Sequence, residues 1–291
     1  MFNSPQELKQ ALNQQDYIAD DDLATVAYLS SVLQKPLLVE GPAGVGKTQL
    51  AVAMARAFRR KLIRLQCYEG IDASKALYDW NYHRQLLRIQ AGQGEGWKKA
   101  GQDIFSREFL LQRPLLQALL SQEPAVLLID ELDKSNEEFE SFLLELLAEF
   151  QVTIPELGTL EAVTRPLVVL TSNGSRDFGD ALRRRCLHLF INYPDLEREE
   201  EIVARHCRTV NSRLIRTGTE LVQKLRKLPL RKLPSVAESI DFVQAISLLE
   251  AGQLTEASFS AAAATLLKYP QDVRQVHDKL PYLIGDGGPN E

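Results

Sequence analysis

The sequence predicts an α/β fold with a parallel sheet, followed by a small all-α domain. Short apolar runs, each of a length typical of one buried strand, alternate with stretches whose apolar residues recur at helical spacing. After Pro194 only the helical spacing continues. The chain of 291 residues is long enough to bury two such cores. We therefore expect an α/β domain over residues 1–194, a helical domain over 195–284 and a disordered polar tail over 285–291.

The individual elements follow from the same patterns. Ser4 before Pro5 is typical of a helix start. The expected strands are 36–40, 61–66, 125–130, 167–170 and 187–191. The expected helices before Pro194 are 4–14, 21–33, 48–59, 114–121 and 136–150. The expected helices after it are 197–213, 220–228, 235–249, 255–267 and a short one within 269–283.

Two segments interrupt the alternation of strands and helices. Residues 70–112 include the aromatic side chains Trp80, Tyr82 and Trp97, together with a glycine-bearing stretch. A segment of this length between regular elements predicts an insertion with a mobile tip. Residues 152–162 carry strand-like side chains on both sides of a glycine, which indicates a hairpin.

Composition excludes several classes of protein. The chain has 34 Lys and Arg against 39 Asp and Glu, a net charge of −5, so nucleic acid is not an expected partner. Cys67, Cys186 and Cys207 are far apart and form no CxxC pair, which favours buried reduced thiols over disulfides or zinc ligands. The first residues are polar, and the apolar runs are too short for a membrane span. A cytoplasmic protein is expected.

A phosphate-binding motif follows the first predicted strand. The pattern GxxxxGK[ST] is matched in full by Gly41, Pro42, Ala43, Gly44, Val45, Gly46, Lys47 and Thr48, with Gln49 next in the chain. Glycines let backbone N–H groups surround phosphate oxygens, and the following helix presents its positive end to them. Lys47 would supply charge to the β and γ phosphates, and Thr48 would complete a magnesium shell. The motif predicts binding of ATP with Mg²⁺; a glycine turn without a ligand is the alternative.

Two acids follow the third predicted strand. Four apolar residues bring Asp130 and Glu131 to its carboxyl end, the edge where open α/β sheets bind ligands. Asp130 would hold Mg²⁺, directly or through water, and Glu131 would polarise the attacking water. The alternative is an acidic helix start, because carboxylates favour the positive end of a helix. Beside the phosphate motif, the catalytic interpretation is favoured.

In this order the motifs resemble those of the AAA+ ATPases, and within them the MoxR group, over residues 4–283. The resemblance implies a P-loop AAA+ core with a parallel sheet and a small all-α lid. It also implies a homo-oligomer, usually a hexameric ring, with both insertions facing one side of the ring or its pore. Trp80, Tyr82 and Trp97 are then candidates for contact with a client, unless they are buried in their own domain.

The resemblance also assigns roles to residues outside the phosphate motif. Asn173 after Thr171 and Ser172 matches the sensor 1 position, where it would help Glu131 to place the water. Tyr17 and Ile18 match the linker that recognises adenine. The alternatives are a cap or turn for Asn173 and a packed helix–helix turn for Tyr17.

A run of arginines resembles the segment that carries the arginine finger. Arg185 matches the finger best and Arg184 is the second candidate; a solvated basic helix end is the alternative. Such an arginine acts on the nucleotide of a neighbouring subunit. In one respect the chain departs from the MoxR pattern: residues 234–238, where a sensor 2 arginine is expected, contain none. Arg231 and Lys232 are near enough to substitute, or they belong to a solvated loop.

The resemblance implies a chaperone that remodels or matures a metal-containing enzyme with a von Willebrand factor A domain partner. Residues 67–72 and 78–82 resemble the branch linked to carbon monoxide dehydrogenase maturation. The alternative functions are a nucleic-acid motor or loader that uses the same ATP site, and a nucleotide-gated scaffold without catalysis. The net acidic charge weighs against the motor, and the intact Asp130 and Glu131 weigh against the scaffold.

Overall fold

The computed structural model describes residues 2–91, 104–249 and 253–284, so Trp97 and the predicted tail lie outside the described residues. The chain divides into two compact units. The first comprises Met1–Gln15, Ala19–Gly41 and Lys47–Phe190. The second comprises Asp16–Ile18, Pro42–Gly46 and Ile191–Glu291. Among the described residues, no helix combines the length and the apolar character that crossing a bilayer requires.

The first unit is built on a five-stranded sheet, which confirms the predicted fold class. The strands of this unit are β1 (Leu37–Glu40), β2 (Lys61–Gln66), β3 (Tyr78–Trp80), β4 (Leu110–Gln112), β5 (Ala125–Asp130), β6 (Gln151–Ile154), β7 (Gly158–Glu161), β8 (Leu167–Ser172) and β9 (Leu187–Phe190). The large sheet has the order β2-β5-β8-β1-β9, and every pairing in it is parallel. The small pairs β3–β4 and β6–β7 are antiparallel.

Helices surround this sheet. They are α1 (Pro5–Asn13), α2 (Asp21–Leu33), α3 (Lys47–Ala57), α4 (Ala73–Leu77), α5 (Tyr82–Ala91), α6 (Pro114–Leu119), α7 (Glu137–Glu149) and α8 (Asp180–Arg185). The predicted helix start at Ser4 is confirmed, because its side chain accepts a hydrogen bond from the Glu7 N–H at 3.2 Å. All six residues of β5 and of β8 are buried, as expected for central parallel strands covered on both faces.

The insertion over residues 70–112 places its aromatic residues in different environments. Trp80 in β3 is 8% exposed and meets Phe105 edge-to-face, with ring centroids 5.3 Å apart. Trp80 therefore belongs to the core of its own unit, as the alternative interpretation holds, and is not available to a client. Tyr82 at the start of α5 is 64% exposed. Leu86 and Leu87 on the same helix are also exposed.

The second unit is helical, as predicted, but two helix boundaries differ from those expected. Its described helices are α9 (Leu196–His206), α10 (Ser212–Arg226), α11 (Val236–Leu248), α12 (Glu256–Leu266) and α13 (Pro270–Ile284). The expected helix 197–213 is wrong: the chain breaks after α9, and Asn211 caps α10 by accepting from the Arg213 N–H at 2.8 Å. The expected helix 220–228 begins too late. Gly218 lies inside α10. A glycine suits this position because a Cβ there would come within 2.8 Å of Val243 Cγ2.

A buried ion pair joins α9 to α10. Glu199 is 0% exposed and receives both terminal nitrogens of Arg226, at 2.5 Å and 2.6 Å. Gln223 and Ser239 donate to the same carboxylate at 2.6 Å and 2.7 Å. Four donor atoms on two helices, α10 and α11, therefore converge on one buried charge of α9. Such a group is stable only while every partner is present.

Removal of one partner should destabilise this unit strongly. We expect Glu199→Leu to lower the free energy of unfolding by about 3–5 kcal/mol, because it leaves the Arg226 guanidinium buried without a counter-charge. The double variant Glu199→Leu/Arg226→Met should recover most of the loss, since both charges are then absent. Urea unfolding followed by circular dichroism measures both variants. A double variant no more stable than the single one would contradict this account.

Candidate functional site

The carboxyl edge of the large sheet collects the polar residues that the sequence singles out. Asp130 ends β5, Asn173 directly follows β8, and Gly41 directly follows β1. Parallel pairing brings these ends to one edge, because Glu40 lies opposite Ser172 and the ends of β5 and β8 are in register. Residues more than 80 positions apart therefore meet, as expected for an open α/β sheet.

Lys47 is the first residue of α3 and is only 7% exposed. Its Nζ donates to the Gly41 carbonyl at 2.7 Å and to Asn173 Oδ1 at 2.8 Å. Burial lowers the pKa of Lys47, while the charges of Asp133, Asp130 and Glu131 act to raise it. The ammonium group is thus held in a fixed position among carbonyl and amide oxygens, at the start of a helix.

Asp130 is buried, with 2% of its surface exposed, and lies within reach of two hydroxyl groups. Thr48 Oγ1 lies 3.0 Å from its Oδ1 and 3.2 Å from its Oδ2. Thr171 Oγ1 donates to Oδ1 at 2.5 Å. A carboxylate beside hydroxyl oxygens is the ligand chemistry that Mg²⁺ prefers. The residues present therefore fit the ion that the sequence predicts, with Thr48 and Asp130 as the residues that would hold it.

Glu131 has a left-handed backbone, with φ 55° and ψ 48°. This conformation costs a residue other than glycine about 1–3 kcal/mol and persists where neighbours enforce it. Its backbone N–H donates to Thr171 Oγ1 at 2.9 Å. Its Oε2 lies 2.6 Å from Lys134 Nζ and accepts from Gln66 Nε2 at 2.8 Å. The side chain that the sequence assigns to water activation is thus turned out of the strand and held on two sides.

Several residues of the site escape the sequence analysis. Thr171 contacts both acids, and its only signal is a hydroxyl at the end of a buried strand. Asp133 accepts from the Ser175 backbone at 3.1 Å and from its hydroxyl at 2.6 Å, which ties the loop after Asn173 to the turn after Glu131. Burial would raise the pKa of Asp133, but these hydrogen bonds outweigh it and lower the pKa.

Strand β2 contributes two further side chains that the sequence analysis did not single out. Its burial alternates, with Ile63 and Leu65 buried and Arg64 and Gln66 on the opposite face. Gln66 lies opposite Asp130 in the parallel register. The alternation in the sequence of β2 indicates that Arg64 and Gln66 share one face. The sequence does not give the strand pairing that brings these two side chains to the acids.

The glycine loop has the backbone that its sequence requires. Gly41, Gly44 and Gly46 have φ of 150°, 75° and 97°. Pro42, Ala43 and Val45 lie between them, and Gln49 lies in the first turn of α3. Pro42–Gly46 belong to the second unit, as do the candidate adenine residues.

Within the second unit, the loop meets two other segments. Val236 N–H donates to the Gly44 carbonyl at 3.2 Å, and a Cβ at Gly44 would come within 2.3 Å of Ser235 Cβ. The start of α11 therefore lies against the loop where the family pattern expects sensor 2. A Cβ at Gly46 would be 3.7 Å from the Tyr17 ring, and the Ile18 carbonyl accepts from Arg198 at 2.9 Å. Tyr17 thus lies beside the phosphate loop, and Ile18 is bonded to α9.

The three arginines of α8 differ in their partners. Arg183 lies 3.3 Å from both carboxylate oxygens of Glu40 and is bound within its own unit. Arg184 and Arg185 are exposed. Arg185 Nη1 donates to the Ala181 carbonyl at 3.2 Å. Both finger candidates therefore face solvent on this chain, which is the placement that action on a neighbouring subunit requires.

Arg231 and Lys232 are engaged inside the second unit. Their backbone N–H groups donate to Asp272 at 3.0 Å and 3.4 Å. The Arg231 guanidinium lies 4.1 Å from the centre of the Tyr269 ring. Lys232 Nζ donates to Glu238 at 2.8 Å. Both residues are exposed and are bonded inside their own unit.

The thiols match the sequence prediction. Cys67, Cys186 and Cys207 are buried and form no disulfide with one another. Burial raises the pKa of Cys67 and of Cys186 to about 12, so both stay protonated and unreactive at neutral pH. Within the described ranges, no three His, Cys, Asp or Glu side chains form a group suited to a metal ion.

Comparisons with known proteins give one matching family and several relatives. A family model described as the AAA domain of the dynein-related subfamily matches residues 36–186, more than half of the chain. The chain is 25% identical over 252 residues to the denitrification regulatory protein NirQ of Stutzerimonas stutzeri, covering 84% of this chain and 82% of NirQ. It is 23% identical over 266 residues to protein NorQ of Paracoccus denitrificans (strain Pd 1222), covering 89% and 90%.

Solved structures share the fold at lower identity. Two mutants of RuvB from Thermotoga maritima match with TM-scores of 0.52 and 0.53, at 15% and 13% identity. Both matches cover 99% of this chain, and 80% and 79% of the RuvB chains. At this identity the likeness shows a common fold and no more.

Proposed function

Since the chain belongs to the AAA domain family of the dynein-related subfamily, we propose that it is a MoxR-type ATPase that hydrolyses ATP to remodel another protein. The observation that carries the proposal is the convergence of Lys47, Asn173, Thr48 and Asp130 at one edge of the sheet, with Glu131 next to them. They come from three separate motifs, and the bonded pairs Lys47–Asn173 and Thr48–Asp130 each join residues more than 80 positions apart. A glycine turn without a ligand needs no such convergence.

Each side chain has a task in this reaction. Lys47 binds the phosphates as a fixed positive charge, and Thr48 with Asp130 holds Mg²⁺. The ion supplies positive charge that neutralises the phosphate oxygens. Glu131 accepts hydrogen bonds, so its carboxylate can orient a water molecule and take its proton. Asn173, bonded to Lys47, would help to place the water.

The subunits act together in this proposal. Arg185, or Arg184 as the second candidate, supplies positive charge to the γ-phosphate on the neighbouring subunit. A homo-oligomer follows, in the form of a hexameric ring as the MoxR resemblance implies. Hydrolysis then requires assembly, which makes the rate depend on protein concentration.

The client is proposed to be a metal-containing enzyme, acting with a von Willebrand factor A domain partner. One relative, NirQ, is named a denitrification regulatory protein, which supports a role in the control of another enzyme. The carbon monoxide dehydrogenase branch remains our finer proposal within this class. The exposed face of α5 supports client contact, because Tyr82, Leu86 and Leu87 leave apolar surface uncovered in the insertion.

The purified full chain tests the proposal directly. We expect phosphate release from ATP that requires Mg²⁺ and rises with protein concentration as the oligomer forms. The Lys47→Ala variant should lose both nucleotide binding and phosphate release, while Lys134→Ala, outside the phosphate motif, should still bind. Wild-type protein without measurable affinity for adenine nucleotides would end the proposal. Phosphate release stimulated by DNA in a salt-sensitive manner would instead favour the nucleic-acid motor.

A further inference from the structure

Arg64 forms an ion pair with the metal-binding candidate Asp130. Its Nη2 lies 2.5 Å from Asp130 Oδ2, and the same nitrogen lies 2.5 Å from Gln66 Oε1. The Asp130 side chain is 3% exposed, whereas the Arg64 side chain is 51% exposed. A buried carboxylate is therefore paired with a cation whose other face is open to water.

The strand pattern places Arg64 at this position. In β2 the side chains alternate, so Arg64 and Gln66 share one face. Parallel pairing sets Gln66 beside Asp130 and Arg64 beside Leu128, two residues before it. The guanidinium therefore reaches Asp130 diagonally across two paired strands, β2 and β5.

The charge of Asp130 explains why a cation is needed there. Thr48 and Thr171 satisfy hydrogen bonds of the carboxylate but bring no positive charge. Lys47 Nζ donates to the oxygens of Gly41 and Asn173, and its charge also interacts with that of Asp130. A buried carboxylate without a counter-charge is strongly unfavourable. Arg64 lies within direct ion-pair distance of Asp130.

We propose that Arg64 is a built-in counter-cation of Asp130 that Mg²⁺ must displace, so that Arg64 sets the metal concentration at which Mg²⁺ and nucleotide bind. The inference rests on the proposed ATP function and adds a residue to it. The oxygen that Arg64 occupies is one that Asp130 would offer to the ion or to its water shell. Because the guanidinium is already half-exposed, it can move into water when the ion arrives with little change in its solvation.

Two opposite effects of one substitution distinguish this role from a purely structural one. In EDTA, Arg64→Gln should unfold at a lower urea concentration than the wild type, because Asp130 loses its counter-charge. With saturating Mg²⁺ and ADP the difference should nearly vanish, because the ion replaces Arg64 in both proteins. The free Mg²⁺ concentration for half-maximal binding of a fluorescent ADP should fall about tenfold, since the ion no longer competes with a charge at short range. Arg64→Lys should stay close to the wild type.

The matched control is Arg84→Gln, which removes an exposed arginine paired with Glu108 at 3.0 Å on the same unit. It should shift neither the Mg²⁺ midpoint nor the difference between EDTA and Mg²⁺. The inference would be overturned if Arg64→Gln left the Mg²⁺ midpoint unchanged, or if it lowered stability as much with Mg²⁺ and ADP as in EDTA. Nucleotide binding by the wild type would then still uphold the ATP function. A wild type that binds ADP neither with nor without Mg²⁺ would overturn both.

Discussion

Replacement of Arg185 by alanine should lower the rate of ATP hydrolysis by about 10³–10⁵-fold and leave nucleotide affinity nearly unchanged. The guanidinium is exposed on its own subunit and hydrogen bonds only weakly there, to the Ala181 carbonyl at 3.2 Å. Its loss therefore removes little from the fold. In the proposed reaction it removes positive charge at the γ-phosphate of the neighbour, where charge develops as the bond breaks. Steady-state phosphate release and binding of a fluorescent ATP analogue measure the two effects separately.

The three arginines of α8 provide their own controls. Arg184→Ala in parallel identifies which exposed arginine acts, since the finger should show the larger loss. Arg183 is bound to Glu40 within its own unit, so Arg183→Ala should lower stability more than it changes kcat. Full hydrolysis by Arg185→Ala and Arg184→Ala in a verified monomer would contradict a finger acting between subunits.

Mixed oligomers test action between subunits more sharply. A subunit with Arg185→Ala keeps its own Glu131, and a subunit with Glu131→Gln keeps its own arginine. Where the two stand side by side in the correct order, one complete site forms from parts of both. Mixing the two inactive proteins should therefore restore part of the hydrolysis, and mixtures that stay inactive after subunit exchange would exclude a shared site.

The parts of the fold that the sequence predicts are those set by local chemistry. The buried strands β1, β5 and β8 stand out because each contains three to five apolar residues in a row, which a domain of this size places in its interior. The cap at Ser4 is equally local, since it needs only a hydroxyl three residues before a free N–H group. The fold class follows from the alternation of such elements.

The helix boundaries of the second unit depend on tertiary contacts instead. Gly218 lowers helix propensity, so a local pattern predicts a break near it. The structure keeps the helix because the small residue lets Val243 approach, a contact that no local pattern contains. Asn211 ends the preceding break by capping α10, although the apolar spacing around it continues.

The residues of the candidate site likewise fall into those set by local sequence and those set by tertiary contacts. Residues within a motif, such as Lys47 and Asp130, are visible in the sequence because their spacing is fixed by the loop and the strand. Arg64, Gln66 and Ser235 are not, because each is brought to its partner by pairing or packing of distant segments. Sequence alone gives the alternation in β2, and only the register with β5 turns it into a contact.

Glu131→Gln should reduce the rate of hydrolysis by about 10²–10⁴-fold, the usual contribution of a general base, and still bind ATP. Glutamine has the shape of glutamate, and its oxygen can still accept hydrogen bonds from Gln66 and Lys134. What it loses is the charge in the contact with Lys134, at 2.6 Å. It cannot accept a proton from water at neutral pH. Single-turnover hydrolysis at saturating ATP measures the chemical step without interference from product release.

The matched control for Glu131→Gln is Glu138→Gln, which removes an exposed acid from the first turn of α7. It changes the net charge by the same amount, so equal losses in both variants would point to a general electrostatic effect and not to a base.

The position of Glu131 also depends on Thr171, whose hydroxyl accepts a hydrogen bond from the backbone N–H of Glu131. Thr171→Val should also lower hydrolysis, because the hydroxyl that orients both acids is gone, yet the Glu131 carboxylate remains. A Glu131→Gln protein as fast as the wild type, beside a slow Thr171→Val protein, would move the role of base from Glu131 to another group that Thr171 positions.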